Sequence, residues 1–497
     1  MIDSIFYAFP DATFYEKSII ENDHYTFFMI REPSGVSLVI GSKSGFAVDF
    51  PFQGEKRKLK EGTFLKCPLS ADNTASLRDM FPFTKPVLAG KGNSYGLGDR
   101  LGNAGAAHLK AIRKTGFFPV LAQQSIRELE RTGRTAQQVI DAASWAVFRE
   151  GYRDGFGADG DHLKTTGDID LMIASGFTMF TIDPSEYVVN EAISISEASL
   201  QKSFENLPWD ELNDSPEAFL NRFENTTFEL HDGYALTPSK KEILTGMVKY
   251  GGVIAHTKKL ADYLRHQYPE HPAELELSVD ETDQPTTLFE HLLIASELQR
   301  LGIDLVSLAP RFCGDFEKGV DFRGDLNQFR EEYLQHLAIA KKFGGYKLSI
   351  HSGSDKFSVY EVIGGIGEGA VHVKTAGTSY LEALRTIAEA EPGLFRRILE
   401  FSKSRFLEDK KTYHISGVPE NIPDVEAMPD HQLKNLLGLD DCRQVLHVAY
   451  GSVLHGQREV SAAFKKELME ALDRNAELYE ANLEAHFDKH LAPFKQN

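Results

Sequence analysis

Cysteine is scarce in this chain: Cys67, Cys313 and Cys442 are the only three among 497 residues. They are far apart and odd in number, form no zinc motif, and suit a reducing cytoplasm. No apolar run reaches the length needed to span a bilayer. Met1-Ile2-Asp3-Ser4 lacks the basic and then apolar pattern of a secretory signal, so the expected location is cytoplasmic. Positive charge is also short. Lys and Arg number 54 against 73 Asp and Glu, a formal net charge of −19. That argues against nucleic acid or an anionic membrane as partner, since both need basic patches. Phosphate-loop fingerprints are missing as well. Gly92, Gly96, Gly98 and Gly102 fit neither a Walker A nor a dinucleotide spacing, and Gly364–Gly369 reads as a tight helix–strand turn. There is no internal repeat beyond a strand–helix alternation, and no low-complexity tract.

What is present looks like an enzyme-sized globular chain, with 42% hydrophobic and 26% charged residues. Residues 1–85 read as a β-rich region by alternation. There Ser37–Ile40 and Gly45–Phe50 flank Gly41-Ser42-Lys43-Ser44, a hairpin signal. The basic run Lys56–Lys60 reads as a solvated face. From residue 86 short apolar runs alternate with helical patterns. Strands are expected at Pro86–Gly90, Phe117–Ala122, a stretch around Gly155–Lys164, Phe177–Ile182, Glu274–Val279, Leu305–Leu308, Tyr346–Ile350 and Ala370–Lys374. Residues 186–240 read as an insertion, and 400–497 as a helical extension. The pattern predicts an α/β fold, a (β/α)8 TIM barrel over residues 86–399. Eight polar strand ends favour the barrel over a doubly wound sheet, because only a barrel brings every C-terminal strand end to one mouth.

The polar strand ends supply the candidate chemistry. The mouth would hold Asp161, His162, Lys164, Asp183, Asp280, Glu281, Asp283, Arg311, Glu317, His351, Asp355 and Lys356. Asp161 and His162 are adjacent, so only a strand end or bend lets both face one ligand. Glu276 sits between Leu275 and Leu277, and period-two alternation turns it into the barrel. A buried carboxylate there is either functional or paired internally, Lys374 being the partner on the eighth strand. His162 and His351 lie at mouth-side strand ends. Two histidines, a carboxylate and open positions make a common catalytic metal site. Spacing does not choose among Glu317, Asp280, Glu281 and Asp315 for the carboxylate. His256, His291 and His336 fall in helix bodies and read as packing or surface residues.

Five runs then carry a resemblance: Gly160–Lys164, Ser278–Thr286, Ala309–Phe312, Phe316–Asp321 and His351–Phe357. Together they resemble the tagaturonate/fructuronate epimerase family, some of whose members act on the neutral pair tagatose and fructose. The resemblance implies a metal-dependent sugar epimerase on a (β/α)8 barrel. It implies a divalent metal ion (Zn, Mn, Ni or Co) on His162, Glu317 and His351, and acid–base roles for Asp161 and Glu276. Lys164, Asp183, Asp280, Arg311, Asp355 and Lys356 are the candidate substrate contacts, with Lys164, Arg311 and Lys356 available for a uronate carboxylate. The two ketoses differ at a carbinol carbon whose hydrogen is not acidic, which favours a retro-aldol route over enolisation. A class II-type aldolase, an aldose–ketose isomerase, or a non-catalytic sugar-binding barrel are the alternatives.

Overall fold

The computed structural model describes residues 9–43, 50–59, 62–456 and 458–495. Its first layer is an antiparallel sheet of β1 (Thr13–Glu21), β2 (Tyr25–Glu32), β3 (Gly35–Lys43), β4 (Glu55–Leu59) and β5 (Gly62–Pro68), in the order β1-β2-β3-β5-β4. One face sends Phe27, Met29, Leu38, Ile40 and Leu65 onto Trp145 and Phe148 of the helix Ala136–Arg149. Strand alternation puts Phe28, Ile30, Val39 and Phe64 on the opposite face, in a smaller cluster with Phe9. The hairpin expected around residues 41–44 is not the one that forms next to Ser37–Ile40. Instead β3 turns back on β2 through Pro33-Ser34, with Glu32 opposite Gly35. The partner strand expected over residues 45–50 lies, apart from Phe50, outside the described residues.

The centre of the molecule is a closed parallel barrel. Its strands are β6 (Ser94–Leu97), β7 (Phe118–Ser125), β8 (Gly157–Leu163) and β9 (Met179–Ile182). After the short excursion pair β10 (Phe228–Glu229) and β11 (Ala235–Leu236) come β12 (Glu274–Val279), β13 (Leu305–Pro310), β14 (Lys347–Ile350) and β15 (Val371–Thr375). The ring closes in the order β12-β13-β14-β15-β6-β7-β8-β9. Seven of these strands lie where the sequence pattern predicts them. The first does not, because Pro86–Gly90 is irregular and the barrel strand is Ser94–Leu97. Local chemistry explains the shift. The Ala89 and Gly90 N–H groups donate to the Glu274 carboxylate, at 2.9 and 2.6 Å, rather than to a ladder. Gly96, which reads as a loop residue, is a strand glycine packed under Gln123: a Cβ there would fall 1.7 Å from Gln123 Oε1, so that side chain would have to move.

The helices follow their caps. Ser239 opens the long helix Lys240–Gln267 with a capping box to Glu242, as its Thr-Pro-Ser approach predicts. Two helices, Ile126–Thr132 and Ala136–Arg149, follow β7. Gly133 takes a left-handed φ of +61° between them, and Thr135 caps the second piece with Gln138. Between β9 and the long helix, the helices Glu197–Glu205 and Pro216–Phe223 gather Phe204, Trp209, Phe219 and Phe223 into one aromatic cluster. The C-terminal helices Pro392–Asp409, Asp440–Val448, Arg458–Arg474 and Ala476–Leu491 pack beside the barrel. Among the described residues, no helix is long and apolar enough to cross a membrane.

Candidate active site

The site begins at the end of β8. Asp159 and Asp161 alternate into the barrel, while Gly160 faces outward, where a Cβ would meet Met172 Cγ at 2.7 Å. The register of β8 against β9 slips between Gly160 and Leu163, and His162 takes a φ of +51°. That left-handed residue is the bend that lets Asp161 and His162 face the same mouth. Ser352 and Asp355, in the turn after β14, also adopt positive φ, at 52° and 61°. Three of the strained non-glycine positions thus lie at the mouth-side ends of two barrel strands, within or just after them.

At the bottom of the mouth, one ammonium serves three carboxylates. Lys374 Nζ lies 2.7 Å from Asp159, 2.8 Å from Asp161 and 2.8 Å from Glu276, and it also donates to Thr181 Oγ1. The internal partner that alternation allowed Glu276 is therefore present, and Glu276 is fully buried. Burial works against the Lys374 charge, yet its three carboxylates hold its pKa well above the usual range. Burial raises Asp159 to about 6, against the pull of Lys374. Burial opposes ionisation of Asp161 and Glu276 too, but Lys374 and the nearby histidines keep both well below the usual carboxylate range.

Above this cluster stand the two histidines. His351 is gripped on both nitrogens, Nε2 at 2.7 Å from Glu276 and Nδ1 at 3.2 Å from Asp280. Its ring lies 5.2 Å, centroid to centroid, from that of His162. Burial alone would depress both imidazoles. Asp161, Asp183 and Asp280 instead raise His162 to about 10, and Asp280 and Glu276 raise His351 to about 9. Asp280 is held far below its ordinary value by the same histidines, against its own burial.

Ligand atoms of His162, Asp280 and His351 lie within 4.8 Å of one another. The donor set fits a first-row divalent ion, two imidazoles and one carboxylate being a common arrangement with open positions. His162 Nδ1 is buried without a hydrogen bond, the nearest carboxylate oxygen being that of Asp183 at 3.4 Å. Such a cation would replace the protons that the surrounding acids now hold on the rings.

Of the other residues expected at the mouth, Glu317, Asp355 and Lys356 are engaged by internal partners. Glu317 is not in the His162–His351 group, and Asp280 is the carboxylate there. The Glu317 carboxylate accepts from Ser416 N–H and Oγ (3.1 and 2.8 Å) and from Gln444 Nε2 (2.7 Å), and lies 3.6 Å from Arg323. Asp355 is buried behind the loop, bound to Arg443 (2.6 Å) and to His486. Lys356 is fully buried and spends its donors on the carbonyls of Glu317, Val320 and Ser354. Lys164 is half-exposed and pairs with Glu186 at 3.0 Å and Asp183 at 3.8 Å. Asp183 in turn flanks His162, and Arg311 lines the outer cleft.

That cleft has a volume of about 510 Å³ and runs from Asp280, Arg311 and Asp315 to His351 and Tyr413. A small inner chamber beneath it brings Asp161, His162, His351 and Lys374 together with Arg127 and Lys318. Sequence reading missed Asp159, Arg127 and Lys318. Asp159 shares the face of Asp161 two residues on, a signal that alternation contains. Arg127 and Lys318 lie past strand ends, where no periodicity marks direction.

Fold and site together define a (β/α)8 barrel enzyme with a metal-competent, acid-rich mouth. The tagaturonate epimerase (UxaE) family matches residues 15–494. A tagaturonate/fructuronate epimerase of Thermotoga maritima is 41% identical over 478 residues, 96% of each chain. The crystal structure of a fructuronate–tagaturonate epimerase from Cohnella laeviribosi matches with a TM-score of 0.90 at 38% identity, covering 99% of this chain and 98% of that one. A form of it with two glycerols matches at 0.91, covering 100% of both. The chain belongs to the tagaturonate epimerase family and is an isomerase of the epimerase class.

Proposed function

We propose that this chain interconverts tagaturonate and fructuronate by breaking and remaking the carbon–carbon bond next to the inverted carbinol carbon. The observation that supports this most is the opposition, in one mouth, of the His162–Asp280–His351 trio to the Asp161–Lys374–Glu276 cluster. A divalent cation held by the trio would polarise the ketone and its neighbouring hydroxyl as a Lewis acid, which makes weak carboxylate bases sufficient. Asp161, ionised and 7% exposed, takes the proton of the hydroxyl on the inverted carbon. The electron pair of that O–H bond forms the aldehyde, and the pair of the cleaved C–C bond leaves as the enediolate of the ketone fragment. The aldehyde turns its other face, the bond re-forms, and Asp161 returns the proton. Glu276, hydrogen-bonded to His351 and Lys374, holds the histidine in place and moves protons on the ketone side. Cations in the same mouth favour the uronates over tagatose and fructose as substrates. The three cysteines are free and buried, which suits the cytoplasm.

Proton NMR of metal-loaded protein with each of the four sugars tests the substrate. The same experiment in D₂O tests the route, because the hydrogen on the inverted carbon stays with its aldehyde carbon. The expected product carries no deuterium there. Quantitative solvent label at that carbon would instead require direct deprotonation.

A further inference from the structure

Most cations around the mouth already have an acid. Lys374 is bound by three, Arg100 lies 3.0 Å from Glu128, Lys164 3.0 Å from Glu186, and Arg323 3.1 Å from Asp440. Among the described residues, Arg127, Arg311 and Lys318 have no carboxylate oxygen within 4.0 Å. Arg311 lines only the outer cleft. Arg127 and Lys318 line both the cleft and the inner chamber that holds Asp161, His162 and His351.

Both are held for a purpose that no internal contact explains. The Arg127 guanidinium lies 5.6 Å from the Tyr413 ring centroid, on a ring that Arg131 also hydrogen-bonds through its hydroxyl. Lys318 projects from a loop fastened on both sides. The Glu317 carboxylate is tied to Ser416 and Gln444, the carbonyls of Glu317 and Val320 to Lys356, and the carbonyl of Gly319 to Arg443 at 2.6 Å. Among the described residues, the Lys318 ammonium donates only to Ser352 Oγ, 2.6 Å away and next in sequence to His351. Two cations fixed in an otherwise acidic, half-buried mouth are satisfied by an anion that enters with the substrate.

We propose that Arg127 and Lys318 clamp the carboxylate of the hexuronate, while its ketone end lies toward His162, Asp280 and His351. The assignment deepens the epimerase reading and rests on it. The Arg127 fork supplies paired donors and Lys318 a point charge. Glu317 and Lys356, drawn into the backbone around Lys318, serve this site as positioning residues.

The test uses metal-loaded full-length protein and equilibrium binding of galacturonate against its neutral polyol, galactitol, beside turnover of tagaturonate. The wild type is expected to bind galacturonate more tightly. Arg127→Met and Lys318→Met are each expected to raise the tagaturonate KM and the galacturonate Kd roughly 10- to 100-fold, with kcat changed only a few-fold and galactitol binding unchanged. Arg127→Lys is expected to recover part of the loss, which a merely structural role would not allow. Equal wild-type affinity for the two ligands, unchanged galacturonate binding in both variants, or a parallel loss of galactitol would overturn the clamp. A wild type that binds galacturonate selectively but turns over neither uronate would overturn the epimerase reading and leave the clamp standing.

Discussion

Two clusters in this chain are built from the same parts, one partly open at the barrel mouth and one fully buried. His162, Asp280 and His351 stand at the barrel mouth, and Asp355, His486 and His490 lie between the loop after β14 and the last helix. Each group brings two imidazoles and a carboxylate with ligand atoms inside 4.8 Å. In the second, Asp355 is taken up by Arg443 and His486, its N–H donates to His490 Nε2 at 3.0 Å, and His490 Nδ1 donates to the His486 carbonyl. His486 Nδ1 faces Glu382 at 3.2 Å. Both nitrogens of His490 are used, and its side chain is fully buried. The mouth group keeps a nitrogen without a hydrogen bond beside an open chamber. The same residue types at the same spacing thus occupy two environments, one closed by internal partners and one lining a chamber at the barrel mouth.

Metal content should separate the clusters most sharply. His162→Ala and His351→Ala are expected to lose metal and activity together while the fold survives, and His486→Phe to keep its metal. Loss of metal in His486→Phe, measured by elemental analysis, would break the comparison. Asp161→Asn should hold its metal yet lose on the order of 10²–10⁴ in kcat, the usual worth of a positioned base.

On the closed side, Arg443→Met leaves Asp355 buried beside a missing partner. We expect a loss of about 3–5 kcal/mol in unfolding free energy by denaturant titration, with metal content unchanged. Acid should weaken this cluster as well. Burial, with His486 beside it, lowers His490 to about 3, below its unfolded value of about 6.5. The neutral ring is the native form, so its contribution is present above about pH 6.5 and lost as pH falls toward 3. His490→Gln should reduce the acid slope of stability by at most ~1.4 kcal/mol per pH unit. Smallest of all, Lys164→Met removes a half-exposed pair with Glu186 and should cost under about 1 kcal/mol.

The barrel was legible because its strands are short apolar runs ending in polar residues, a pattern set by local alternation. Glu276 and Asp161 were legible for the same reason, since a strand fixes which way each side chain points, and His162, Asp280 and His351 because they sit at or just past mouth-side strand ends. The first barrel strand was not, because Ser94–Leu97 owes its conformation to Gln123 and to closure against β15. Loop residues were legible only as chemistry. Glu317, Asp355 and Lys356 carry charges suited to a mouth, but nothing local says that Ser416, Gln444, Arg443 and three carbonyls will claim them.

By itself, then, the sequence determined seven of the eight barrel strands and the face on which the strand-borne acids Asp161 and Glu276 lie, and its longer motif runs carried the family resemblance. The strands and that face follow from periodicity, which acts over a few neighbouring residues, and the family from the resemblance of whole motif runs. Only the tertiary structure decided which charges are spent and which are left over. Lys374 meets Asp159, Asp161 and Glu276 across the barrel, whereas among the described residues Arg127 and Lys318 have no carboxylate oxygen within 4.0 Å. Pairing is settled by distances of a few ångströms between residues hundreds apart in the chain, and only closure of the barrel sets those distances.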